Sequence, residues 1–135
     1  WNNEIWMKDA ATGESLSSTD EVILATPTLY DYPLYQTARA GQELTYTFDM
    51  PAGLYQVRLK FAEMWLGEAG QRPMDIEVNG RVFYSSFDPF TVAGGKNRSI
   101  DIRAEDVTPD KNGQITVSIR EKGAHPALIQ GITVE

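Results

Sequence analysis

Cysteine is missing from the 135-residue chain, and histidine occurs once, at His125. Without cysteine there is no disulfide framework, no zinc–thiolate site and no thiol nucleophile. His125 lies between Ala124 and Pro126 with no acid or hydroxyl beside it, and no His-Glu-x-x-His spacing occurs. Neither a catalytic triad nor a zinc-hydrolase motif is therefore written in the chain. Basic residues are in deficit. The 12 Lys and Arg are outnumbered by 19 Asp and Glu, for a formal net charge of -7. That balance argues against nucleic acid or an anionic membrane as partner, because both require clustered cations. No apolar run approaches the ~20 residues of a membrane helix. No window repeats apolar residues at the three-and-four spacing of an amphipathic helix. Gly94-Gly95-Lys96-Asn97 lacks the spacing and the hydroxyl of a phosphate loop, and reads as a surface hairpin.

What is present is alternation. Tyr55, Val57, Leu59 and Phe61 share one face of a strand, against Gln56, Arg58 and Lys60. Leu44, Tyr46 and Phe48 alternate with Thr45, Thr47 and Asp49, and Ile115, Val117 and Ile119 with Thr116 and Ser118. Met74, Ile76 and Val78 repeat the pattern, as do Ile100 and Ile102. Val22-Ile23-Leu24, the run from Leu34 to Arg39, Arg81 to Tyr84 and the closing Leu128 to Val134 are further extended pieces. Pro51-Ala52-Gly53, Asn79-Gly80 and Pro109 to Gly113 are turns between them, and Asn-Gly is a strong hairpin signal. Ala10 to Ser15, Ser17 to Asp20, Asp88-Pro89 and Ala93 to Lys96 read as loops. Roughly eight or nine short strands with turns at regular intervals predict an all-β fold, an antiparallel sandwich or jelly roll. The length suits a single domain.

The stretch from Lys60 to Gly80 stands out. Its alternation breaks at Met64-Trp65-Leu66, followed by Gly67 and Gly70, so an apolar cluster sits on a loop between two regular strands. Such a loop is a candidate binding surface. Carboxylates are plentiful, among them Glu63, Glu68, Asp75 and Asp88, but no pair is marked for acid–base work. Calcium on oxygen ligands of the Asp9 or Glu105-Asp106 segment is the one structural metal the sequence leaves open, although neither segment is a recognisable ligand loop. No cofactor and no other metal site is expected.

Several motifs occur together and in order. They are Leu34-Tyr35-Gln36-Thr37-Ala38-Arg39, Gly53-Leu54-Tyr55-Gln56-Val57, Phe61-Ala62-Glu63, Gly70-Gln71-Arg72, Asp75 to Gly80, and His125-Pro126-Ala127-Leu128-Ile129-Gln130-Gly131-Ile132. Over about residues 22 to 135 the chain resembles the malectin domain, whose bacterial members are classed as carbohydrate-binding module family 57. The resemblance implies a jelly-roll, galactose-binding-like sandwich that takes glycans on loops at one end. The family site uses four aromatic rings and one Asp. The aromatic pair after Phe-Ala-Glu falls here on Trp65 and Leu66, and one tyrosine of the site falls on Ala40. Tyr30 and Tyr32 are candidates for the upstream tyrosine, and the aspartate position is occupied by Ala124.

Glu63, Gln71, Arg72 and His125 are the polar side chains expected to meet sugar hydroxyls, with Trp65 as the flat ring for an apolar sugar face. The expected function is a non-catalytic module, residues 1–135, excised from a longer chain such as a glycoside hydrolase that it targets to a polysaccharide or glycan. The competing reading is a structural module that has lost sugar binding and packs on its parent enzyme. By resemblance alone, the location is secreted or periplasmic. The expected partners are an oligo- or polysaccharide and a catalytic domain in cis, with the module itself a monomer.

Overall fold

The computed structural model describes residues 15–18 and 36–135. Ten strands run antiparallel through them: β1 (Ser15–Ser18), β2 (Thr37–Gly41), β3 (Glu43–Asp49), β4 (Tyr55–Ala62), β5 (Met74–Val78), β6 (Arg81–Phe87), β7 (Ser99–Val107), β8 (Gln114–Glu121), β9 (Ala127–Ile129) and β10 (Gly131–Val134). They form three sheets, in the orders β3-β8-β5-β6, β10-β4-β7 and β1-β2-β9. The architecture is the expected all-β antiparallel sandwich.

The alternation read from sequence is the physical reason. Leu44, Tyr46 and Phe48 of β3 and Ile115, Val117 and Ile119 of β8 turn inward, meeting Val57, Leu59 and Phe61 of β4 and Ile132 and Val134 of β10 in one core. Each such side chain contributes about 1.5–3 kcal/mol on burial. Register is fixed because slipping by one residue would expose the whole apolar set. β3 and β8 pair without a break from Glu43↔Arg120 to Asp49↔Gln114. Outward Thr45 and Ser118 approach to 3.3 Å, as do Thr47 and Thr116. Asn79 and Gly80 have φ of 50° and 78°, the two left-handed residues of the hairpin turn that their identities announced.

Three local readings change. Ser15–Ser18, within a polar segment read as loop, is a strand paired with β2 through its backbone, which alternation of side chains does not report. The segment after Asp88 carries a one-turn helix, α1 (Pro89–Ala93), with Pro in its first turn and Gly94 at φ 85° ending it. Gly94-Gly95-Lys96-Asn97 is accordingly the exit of that helix rather than a hairpin. The closing apolar run is two strands, since Gln130 separates β9 and β10 and sends them to different sheets. Val22-Ile23-Leu24 lies outside the described residues.

Candidate functional site

The long strand β4 ends at Ala62, and two polar side chains set the course of the chain beyond it. Gln130, almost wholly buried, fills the step where β10 gives way to β9. Its Nε2 donates to Ala62 O at 2.6 Å and its Oε1 accepts from Ala62 N at 2.9 Å. The amide thus stands in for the next residue of a paired strand, satisfying two backbone groups that burial would otherwise penalise. Glu63 comes next and is 0% exposed. Its Oε1 accepts from Arg72 Nε at 2.7 Å, and its Oε2 accepts from Arg72 Nη2 at 3.3 Å. The same Oε2 also takes the backbone N–H groups of Trp65 at 3.1 Å and Leu66 at 3.2 Å. Arg72, 4% exposed, spends its remaining Nη1 on Pro126 O at 2.5 Å. A buried carboxylate and guanidinium paired side by side, with their other valences satisfied, is the geometry in which charge is tolerated inside a protein.

This arrangement ties three chain segments together. Asn97 N donates to Glu63 O at 2.7 Å, bringing in the segment after α1. Gly70 N donates to Asp88 Oδ2 at 2.5 Å, and Thr91 Oγ1 donates to the same oxygen. The segment before β9 packs against the same loop, since Lys122 N donates to Pro73 O at 3.0 Å. A methyl at Gly123 would approach the Pro73 ring to 3.3 Å. Beneath the loop, Met64 is buried with Ala38, Ala40 and Leu128 in a small cluster of its own. Ala40 is thus part of the support under the loop.

The expected site residues separate into groups. Trp65 is 49% exposed and stands outside the core, with Leu66 half-buried beside it. Glu63 and Arg72 lie behind them, engaged with each other and with backbone. His125 is half-buried in the loop that Arg72 grips through Pro126, and Ala124 is exposed. Gln71 is half-buried between Gly70 and Arg72. Tyr30 and Tyr32 lie outside the described residues. Gln130 and Asp88 were missed by sequence reasoning. The available signal was a polar residue in an apolar run, Ile129-Gln130-Gly131-Ile132, and an acid directly before a proline. Among the described residues no three His, Asp or Glu converge as a metal set.

The profile of the malectin domain matches residues 2–132. The chain belongs to the malectin domain family. That family is a carbohydrate-binding, non-catalytic fold. The chain is 28% identical to Receptor-like protein 4 of Arabidopsis thaliana over 142 residues, covering 99% of this chain and 22% of that protein. It is 34% identical to Malectin of Mus musculus over 76 residues, covering 54% of this chain and 25% of that one. The chain therefore spans a quarter or less of these curated relatives. Among solved structures, a Bacteroides uniformis beta-glucuronidase superposes with a TM-score of 0.76 at 26% identity, over 91% of this chain and 14% of that one.

Proposed function

We propose that this domain is a non-catalytic carbohydrate-binding module that holds a larger enzyme, of the glycoside hydrolase class, against its polysaccharide or glycan. The observation that carries the reading is Trp65, a half-exposed indole on a loop whose backbone is fixed from below by a buried carboxylate. A sugar ring offers one apolar C–H face and a rim of hydroxyls, so a fixed flat ring with polar neighbours suits it. The available half of an indole covers on the order of 100 Å², or ~2.5 kcal/mol at ~25 cal/mol per Å². Association costs at least ~4 kcal/mol, so Trp65 needs companions; Leu66, His125, Tyr30 and Tyr32 are the proposed ones. Glu63 and Arg72 act by positioning the contact loop. The similarity to a segment of a beta-glucuronidase supports an accessory role beside a catalytic domain. The family supports work in a secreted or periplasmic setting, and the domain is proposed to act as a monomer.

The test is calorimetric titration of the domain against neutral glucans, galactans and other plant or algal polysaccharides. Saturable binding to at least one, weakened by Trp65→Ala, is expected. No binding to any, even at high ligand concentration, overturns the reading. One observation favours a second reading, in which the domain packs on its parent enzyme without sugar: Ala40 and Ala124 stand where family contacts are expected, and Ala40 is buried under the loop. That reading predicts no glycan binding and protection of Trp65 from solvent in the longer chain, measured by fluorescence quenching.

A further inference from the structure

At the opposite end of β4 from Trp65, the two main sheets part company. Among the described residues, β6 and β7 are the outer strands of their sheets, and they diverge around a cleft of about 390 Å³. Its lining includes Val78, Phe83 and Val107, with Arg81, Glu105 and Asp106 also on its walls. The turn that closes one side is pinned across the sandwich. Asn79 Nδ2 donates to Thr108 O at 2.9 Å, and Asn79 Oδ1 accepts from Thr116 N at 2.8 Å. The Asn79 side chain thus ties the turn at the rim of the cleft to β8 and to the residue that follows β7.

The carboxylates owe their position to a bulge. Val57 pairs with Ala104 and Tyr55 with Val107, so β7 carries one more residue than β4 between these pairs. In an unbroken strand Glu105 and Asp106 would point to opposite faces. Here Asp106 takes a φ of 56°, Ala104 stays buried, Val107 returns to the core, and both acids are exposed on the same cleft. A left-handed conformation in a non-glycine residue carries a cost, and bulges of this kind re-aim side chains. The side chains of Arg81, Glu105 and Asp106 make no hydrogen bond or ion pair among the described residues.

We infer that this cleft is a second sugar-binding site, at the pole of the sandwich opposite Trp65, for a neutral oligosaccharide. Its volume lies in the range of ligand pockets, and its lining combines an apolar floor with a few converging polar groups. Carboxylates accept from hydroxyls and the guanidinium donates to them, which together read a polyol rim. Two negative groups against one positive one disfavour a uronate, so charge selects neutral sugars. The inference goes beyond the loop site and does not require it. Two sites on opposite poles would let one module bridge two chains or gain avidity on one surface.

The test is a nitrogen-15 amide-shift titration of the whole domain, and of its Trp65→Ala form, with short cello-, malto-, laminari- and galacto-oligosaccharides. A galacturonate oligomer is the charged control. Expected are saturable shifts over residues 78–83 and 105–108 at millimolar neutral sugar, unchanged by Trp65→Ala, with binding about tenfold weaker for the exposed-site variants Arg81→Ala or Glu105→Ala. The uronate is expected to bind at least several-fold more weakly. No shift at these amides with any neutral sugar overturns the inference, as does tighter binding of the uronate. Failure at Trp65 with shifts at the cleft would overturn only the loop-site reading.

Discussion

Two arginines of this domain each sit beside carboxylates, in opposite surroundings. Arg72 is buried with Glu63, and every oxygen and nitrogen between them is engaged. Arg120, on the outer face of the four-stranded sheet, reaches Glu43 at 3.4 Å and also contacts Glu77, with its side chain 49% exposed. The partners are alike, but water is present in one place and excluded from the other. Desolvation makes the buried pair interdependent, because removing one member strands the other in a medium that cannot solvate it. Around Arg120, water and salt screen the same attraction to little net value. Charge at the loop therefore builds a frame for Trp65, and charge on the sheet face stays at the solvated surface.

That contrast is open to direct attack. Glu63→Ala is expected to have the largest effect, a loss of about 3–5 kcal/mol in chemical denaturation, since Arg72 and two loop N–H groups lose their acceptor. A loss under ~1 kcal/mol would show the pair to be ornamental. Gln130→Ala comes next, at roughly 2–4 kcal/mol, because it leaves Ala62 N–H and C=O buried and unpaired. Hydrogen exchange should show the Ala62 amide opening first. Arg120→Ala is expected to cost no more than ~1 kcal/mol, shrinking further in high salt. A larger cost, insensitive to salt, would erase the distinction between the two surroundings.

The smallest effect concerns acid. Asp75 Oδ1 accepts from Ser86 N at 2.9 Å and faces Lys122 Nζ at 3.3 Å. The Ser86 amide above all holds this carboxyl below its ordinary value of 3.8; burial, next in size, opposes it, and Lys122 and then Ser85 add to the lowering. A carboxyl whose folded value is depressed stabilises the fold above its unfolded value, and that contribution disappears as pH falls through the folded one. Asp75→Asn should thus cost a little stability near neutrality, with the cost vanishing as pH falls below 3.8, so that the variant's decline in acid is the flatter one. An unchanged acid profile would show that Asp75 takes no part in it.

The sandwich was legible in the sequence because burial of one face imposes a two-residue period, and β3, β5 and β8 obey it; β4 obeys it only as far as Leu59, beyond which Lys60, read as outward, is buried with Phe61 and Ala62 and paired with Asp101. Elements held by backbone pairing or by a single turn were not. β1 is Ser-Leu-Ser-Ser and α1 spans five residues, too few for a helical period to register. The loop was legible as an apolar cluster, and Trp65 was legible as its exposed ring. The engagement of Glu63 and Arg72 was not, because a buried acid and a solvated acid are spelled alike and the partners stand nine positions apart in the chain. Only the place of Glu63 between Ala62 and Met64 hinted that it lies inside.

The separation of frame from contact surface is tested most directly by Trp65→Ala, with thermal melting and glycan titration done on the same preparation. The melting temperature is expected to stay within a few degrees of the parent, as for an exposed substitution. Glycan binding is expected to weaken by about thirtyfold, the equivalent of ~2 kcal/mol. Unchanged binding at the loop would remove Trp65 from the contact surface, and a collapse of the melting temperature would show that frame and contact surface are not separate.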